Sequence, residues 1–201
     1  MKIICIGRNY KDHAKEMGTT VPKFPIIFLK PDSSLLPKRN PFFLPDFSKE
    51  IHYEVELVYK IDKLGKSIEK KFAKNYYSEV GLGIDFTARD LQKECKDKGL
   101  PWEIAKAFDQ SAVVGEKFIP VNTLDSFNFS LQKNNKVVQK SNANQMIFSI
   151  DEIISYISKF MTLKIGDLIF SGTPSGVGPV KIGDELKGFI ENQEIFKVRI
   201  N

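Results

Sequence analysis

Three carboxylates and one histidine–carboxylate pair are the side chains whose types and spacing can do chemistry here. Glu54 and Glu56 stand two apart in Tyr53-Glu54-Val55-Glu56-Leu57, and in a β-strand such residues project from one face, about 7 Å apart along the chain. Asp85 lies inside the apolar run Gly81-Leu82-Gly83-Ile84-Asp85-Phe86, where a carboxylate is at least partly buried and needs a partner such as a cation. The E-x-E pair alone reads equally well as the polar face of an exposed strand; Asp85 tips the balance toward a site. Three hard oxygen ligands with no cysteine or ligand histidine favour Mg2+ or Mn2+, are compatible with Ca2+ and disfavour zinc.

His13 and Glu16 are three residues apart on a short helical stretch, so they share a face. A carboxylate so placed can orient an imidazole or raise its basicity. From spacing alone, an exposed and loosely paired helix face is the better reading. His52 shares the strand face of Glu54, where a structural role near the ligands suits it better than a catalytic one.

These groups need elements to hold them. Residues 3–7 read as an opening strand, followed by a short helix that Asn9 caps, with Asp12 at its third position and Gly18 as its stop. Residues 22–45 hold six prolines and should be extended strand and loop. Residues 52–61 are the clearest half-buried strand, with Tyr53, Val55, Leu57 and Tyr59 alternating against His52, Glu54, Glu56 and Val58. Residues 80–86 form another strand, after which Thr87 caps a helix with Asp90 as acidic partner, ending near Lys98 before Gly99 and Pro101. A hairpin turns at Asn134-Asn135, Ser149 with Glu152 opens a helix through Phe160, and a second hairpin pairs residues 185–190 with 194–200. Strands dominate in an irregular order, which argues for an α+β or mainly-β domain rather than regular βαβ winding.

The chain has 201 residues and a net charge of +5, enough length for one domain with a sizeable core and short for two. The lysines are scattered, with the densest run, residues 66–74, reading as a solvated helix face; that is not a nucleic-acid interface. No run of about 18 apolar residues is present to span a membrane, and residues 1–7 are too short an apolar stretch for a signal peptide. Cys5 and Cys95 read as reduced structural thiols of an intracellular, cytoplasmic protein.

An ordered set of motifs runs through the chain: Ile6-Gly7-Arg8-Asn9-Tyr10 with Asp12-His13, Phe28-Leu29-Lys30-Pro31, Tyr53-Glu54-Val55-Glu56-Leu57, Asp85-Phe86-Thr87-Ala88-Arg89-Asp90-Leu91-Gln92, Ala105-Lys106-Ala107-Phe108-Asp109 and Gly172-Thr173-Pro174-Ser175-Gly176-Val177-Gly178. In this order they resemble the fumarylacetoacetate hydrolase family. The likeness is to its short single-domain branch of acylpyruvate hydrolases and oxaloacetate decarboxylases, and it weakens only over residues 111–144.

The resemblance implies an α+β, mainly-β fold, a mixed β-sandwich or roll with a few short helices, in one catalytic domain over residues 1–201. It implies metal ligands at Glu54, Glu56 and Asp85, holding Mg2+ with Mn2+ as substitute. It places the family's His–Glu pair at His13 and Glu16, which reverses the reading from spacing, and a substrate-contacting lysine at Lys106. Arg89, Gln92 and Thr173 fall where the family lines the substrate's carboxylate end. Ala107 departs from the serine that often follows the lysine.

The implied activity is hydrolysis of the C–C bond of acylpyruvates, with oxaloacetate decarboxylation as a second activity, in a homodimer acting on a small 2-oxo acid. Within the family the rival is an isomerase or decarboxylase of ring-cleavage products. From other classes the rivals are a phosphoryl-transfer enzyme, which requires a second metal's worth of carboxylates and a focused basic groove, and an inactive metal-binding protein.

Overall fold

The apolar runs that carry the candidate carboxylates become neighbouring strands at the centre of the molecule. The computed structural model describes residues 1–123 and 126–201. In chain order it contains β1 (Ile3–Gly7), α1 (Lys11–Glu16), β2 (Ile26–Lys30), β3 (Ile51–Tyr53), β4 (Val55–Ile61), β5 (Tyr77–Asp85) and β6 (Thr87–Ala88). There follow α2 (Arg89–Lys98), α3 (Glu103–Lys106), β7 (Ala112–Val114), β8 (Ile119–Pro120), β9 (Asn128–Lys133) and β10 (Lys136–Asn142). The chain closes with α4 (Ile150–Phe160), β11 (Leu168–Phe170), β12 (Gly178–Pro179), β13 (Glu185–Ile190) and β14 (Gln193–Arg199).

The fold is mainly β with few helices. A curled mixed sheet runs in the order β2-β1-β11-β4-β5-β7, with β8 also on β5. Its one parallel pair among the described residues is β1 with β11. A second, antiparallel sheet, β10-β9-β13-β14, closes over it, and a small sheet, β12-β3-β6, forms one end. Leu57, Leu82 and Ile84 of the curled sheet share one core with Phe129, Leu131, Leu186 and Val198 of the second. Every residue from Tyr53 to Tyr59 is buried, so the stretch expected to be half-buried is packed on both faces, and it is interrupted at Glu54 where β3 passes into β4.

Local signals succeed where the partner is also local. Asn134 and Asn135 take φ values of 52° and 64°, the left-handed pair that a two-residue hairpin turn requires. Ser149 and Glu152 form a reciprocal capping box, and Ile150, Ile153, Ile154 and Ile157 bury one face of α4.

Two expected caps are corrected. Tyr10, not Asn9, precedes α1, and the helix has no side-chain cap. Asn9 instead donates to the carbonyls of Phe148 and Ser171 and accepts from the Phe148 amide, at 2.8–3.0 Å. Likewise Ala88 precedes α2 without a side-chain cap. The Thr87 hydroxyl accepts from Lys106 Nζ at 2.5 Å, and Asp90 is taken by Ser48 and the amide of Lys49. In both cases a long-range polar partner in the interior outcompetes the helix end. The C-terminal stops hold: Gly18 and Gly99 adopt φ of 62° and 65°, which suits glycine.

Candidate metal centre and active site

Glu54 sits at the break between β3 and β4, where its carbonyl accepts the amide of Asp85 at 2.9 Å. Glu56, on β4, is paired with Gly83 of β5. A Cβ at Gly83 would lie 2.4 Å from the Val113 carbonyl oxygen, so only glycine lets β4, β5 and β7 close around the carboxylates. Ligand oxygens of Glu54, Glu56 and Asp85 all lie within 4.8 Å of one another, and the three residues are buried. Among the described residues this is the one cluster of three metal-ligating side chains.

The carboxylates are unequally compensated. Lys106, at the end of α3, donates to Glu54 Oε2 at 2.8 Å and Asp85 Oδ2 at 2.7 Å. Lys30, at the end of β2, brings its charged Nζ to 2.8 Å from Asp85 Oδ1, so each oxygen of this buried carboxylate faces a lysine. Lys30 also donates to Ser111 Oγ at 2.9 Å and to the Lys106 carbonyl. Glu56 receives one amide hydrogen bond, from Gly172 at 2.8 Å. Gly172 has φ of 96° and a Cβ there would meet Asn9 Cβ at 2.7 Å, so the amide can face Glu56 only because residue 172 is glycine.

The titration behaviour follows. Burial pushes Glu54 up, but Lys106, Arg89 and His13 outweigh it and hold this carboxyl well below its usual range. Burial, then Asp85 and Glu54, push the Glu56 carboxyl well above its usual range. For Lys106, burial lowers the amine while Asp85 and Glu54 outweigh it and keep it protonated. Glu56, with no cation of its own beside Glu54 and Asp85, completes a tight group of hard oxygen donors of the kind that a divalent cation takes. The triad can therefore hold a metal.

The other expected residues gather around it. His13, buried on α1, has Nδ1 3.0 Å from Glu16 Oε2, and Glu16 Oε1 accepts the Gly176 amide at 3.0 Å. Arg89, first in α2, donates to Glu54 Oε1 and Gln92 Oε1, each at 2.6 Å, and to His52 Nδ1 at 3.4 Å. His52 thus supports Arg89, and its imidazole is lowered by burial and then by that guanidinium. Thr173 lines the cleft, but its hydroxyl donates to the Val55 carbonyl and accepts from Gln139, both at 2.9 Å. Glu54, Glu56, Asp85, His13, Arg89, Gln92, Lys106 and Thr173 all border one cleft, and Glu16 reaches it through His13.

Reasoning from sequence missed four contributors. Gln139 is buried and ties Val55, Thr173 and Pro174 together through both ends of its amide. Lys30 carries the second cation to Asp85. Arg8 and Lys96 form further cationic wall, beside Trp102. None was singled out by spacing, although Arg8 and Lys30 stand in quoted motifs and Lys96 falls on the helical face of Arg89 and Gln92.

Comparison with known proteins gives consistent relatives. The family model described as fumarylacetoacetate (FAA) hydrolase C-terminal matches residues 2–201. The chain is 44% identical over 192 residues to "Oxaloacetate tautomerase FAHD1, mitochondrial" of Mus musculus, covering 94% of this chain and 86% of that protein. It is 45% identical over 190 residues to "Oxaloacetate decarboxylase, mitochondrial" of Dictyostelium discoideum, covering 92% and 87%. A crystal structure of fumarylpyruvate hydrolase from Pseudomonas aeruginosa in complex with Mn2+ and pyruvate superposes with a TM-score of 0.93 at 37% identity, covering 100% of this chain and 89% of that one.

Proposed function

The chain belongs to the fumarylacetoacetate hydrolase family, and on that premise we propose that it is a Mg2+- or Mn2+-dependent enzyme that hydrolyses the C–C bond of acylpyruvates and also decarboxylates oxaloacetate. The observation that carries this reading is the buried cluster of Glu54, Glu56 and Asp85, whose ligand oxygens lie within 4.8 Å of one another, beside the His13–Glu16 pair. A divalent ion at the triad supplies Lewis-acid polarisation of the adjacent oxygens of a 2-oxo acid.

The chain's own groups account for the rest. Arg89 uses three of its five N–H donors on Glu54, Gln92 and His52, so two remain to clasp a planar carboxylate. Lys106 uses all three donors on Glu54, Asp85 and Thr87; its contribution is a fixed positive charge next to an oxygen that turns anionic. Glu16 engages His13 at Nδ1, which leaves Nε2 to take a proton. For an acylpyruvate, His13 removes a proton from water as the hydroxide adds to the distal carbonyl. The bond to C3 then breaks, releasing a carboxylic acid and the enolate of pyruvate, which is protonated at C3. For oxaloacetate the bond from C3 to the distal carboxylate breaks without water, giving CO2 and the same enolate.

A second, related reading draws on the relatives named oxaloacetate tautomerase: removal of a C3 proton by His13 and its return to the enol oxygen interconverts keto and enol forms with the same base. A two-metal phosphoryl-transfer site draws no support, since the described residues hold one acidic cluster. Purified protein freed of divalent ions is expected to be inactive on acetylpyruvate and oxaloacetate, and to regain turnover with Mg2+ or Mn2+. No turnover of either compound with metal present would remove the proposal.

A further inference from the structure

The cleft holds more positive charge than the metal centre explains. Four cations line it, Arg8, Arg89, Lys96 and Lys106, against three acids. Those acids are engaged by Lys106, Lys30, Arg89 and the Gly172 amide, and none pairs with Arg8 or Lys96. Bringing a divalent ion to the triad increases the imbalance. The carboxylate next to the oxo group of a substrate answers Arg89 and Gln92, so it leaves Arg8 and Lys96 unanswered.

Both cations are placed rather than merely present. Arg89, Gln92 and Lys96 stand at i, i+3 and i+7 of α2, hence on one face, with Lys96 about 10 Å along the axis from Arg89. The Lys96 amine lies 5.8 Å from the Trp102 ring centroid, against an apolar surface that strengthens its field. Burial, then Arg89 and Arg8, pull its pKa down to about 8. Arg8 follows β1 with φ of 59°, a left-handed conformation that arginine rarely adopts. Two cations that face the same cleft without an acidic partner, one of them partly desolvated, both gain from an anion.

We propose that Arg8 and Lys96 form a tail-binding subsite for a second carboxylate, so that the site selects 2-oxo acids carrying a distal carboxylate over those with a neutral tail. This rests on the 2-oxo acid reading given above and adds to it the residues that choose the substrate. The chemistry it recognises is a dicarboxylate with one 2-oxo acid head.

The test uses a pair of compounds that bind without turnover and differ only in the tail: 2-oxoglutarate and 2-oxopentanoate. Calorimetry on the full chain loaded with Mn2+ is expected to show 2-oxoglutarate binding about tenfold tighter. Lys96→Met and Arg8→Gln are each expected to cut that preference to about threefold or less, while Lys96→Arg, which keeps the charge, retains most of it. Equal affinities in the unsubstituted protein, or a preference that survives in the Lys96→Met/Arg8→Gln double variant with native circular dichroism, overturn the subsite. Binding of neither compound, with Mn2+ bound, defeats the 2-oxo acid reading itself, and the subsite with it.

Discussion

Glu54 and Asp85 are joined main chain to main chain, the Glu54 carbonyl accepting the Asp85 amide at 2.9 Å. Two of the three candidate ligands are therefore fixed by paired strands, and Glu56 is fixed by its pairing with Gly83. The triad is a pre-built arrangement, and its members differ in what their loss should do.

Glu56 is the ligand with no cation of its own, so Glu56→Gln is expected to separate metal affinity from stability. The amide oxygen can still accept from Gly172, while the repulsion with Asp85 and Glu54 disappears. At pH 8 the metal-free variant should be more stable than the native protein, by on the order of 1 kcal/mol, and should lose Mn2+-dependent thermal stabilisation. A variant that is destabilised without metal, or still stabilised by Mn2+, contradicts this assignment.

The raised Glu56 carboxyl also fixes a pH dependence. Its folded pKa lies above its unfolded one, so its contribution to the metal-free fold is present below the unfolded value and is lost as pH rises through the folded value. A divalent ion needs the carboxylate, so binding should release up to one proton in that window, and affinity should climb with pH across it. Titrations in two buffers of different ionisation heat measure the proton directly; identical heats at a pH below the raised value would count against it.

His13 and Glu16 should act on turnover and not on the ion. His13→Ala is expected to keep Mn2+ affinity within about threefold while lowering acetylpyruvate hydrolysis by about 100-fold or more. Glu16→Gln, which preserves the shape but not the charge, should lose less. Unaltered hydrolysis in His13→Ala refutes the base.

The acidic triad was legible because strand periodicity is local: Glu54 and Glu56 share a face by arithmetic, and an aspartate in Gly81-Leu82-Gly83-Ile84-Asp85-Phe86 advertises its burial. The same holds for Ser149 with Glu152 and for the Asn134–Asn135 turn. Asn9 and Thr87 misled because their types are those of helix caps, while their partners, Phe148 with Ser171 and Lys106, lie far away in sequence. His13 and Glu16 became readable only through resemblance, since spacing cannot show that Gly176 holds the other oxygen of Glu16. Gln139 falls in the part of the chain where the resemblance is weakest, and a glutamine in a hairpin strand carries no mark of the three elements it ties.

Gln139 therefore makes a sharp target. Gln139→Leu leaves the Val55 amide and the Pro174 carbonyl without their present partners, and it is expected to destabilise the fold by about 2 kcal/mol. It should also loosen Thr173, raising KM for the 2-oxo acid while kcat, set by the chemistry at His13, changes little. Denaturant unfolding with steady-state kinetics on the same sample checks both; an unchanged KM would show that the loop is held otherwise.

Lys30, Lys106 and Arg89 place three permanent cations against the acids, and this bears on how the protein matures. A zinc finger cannot fold until its ion arrives. Here the interior acids already have internal counterions, so the polypeptide can leave the ribosome, fold and wait for its ion. For the proposed metal centre, loading is then expected to be a late and exchangeable step, with the ion lost and regained without unfolding.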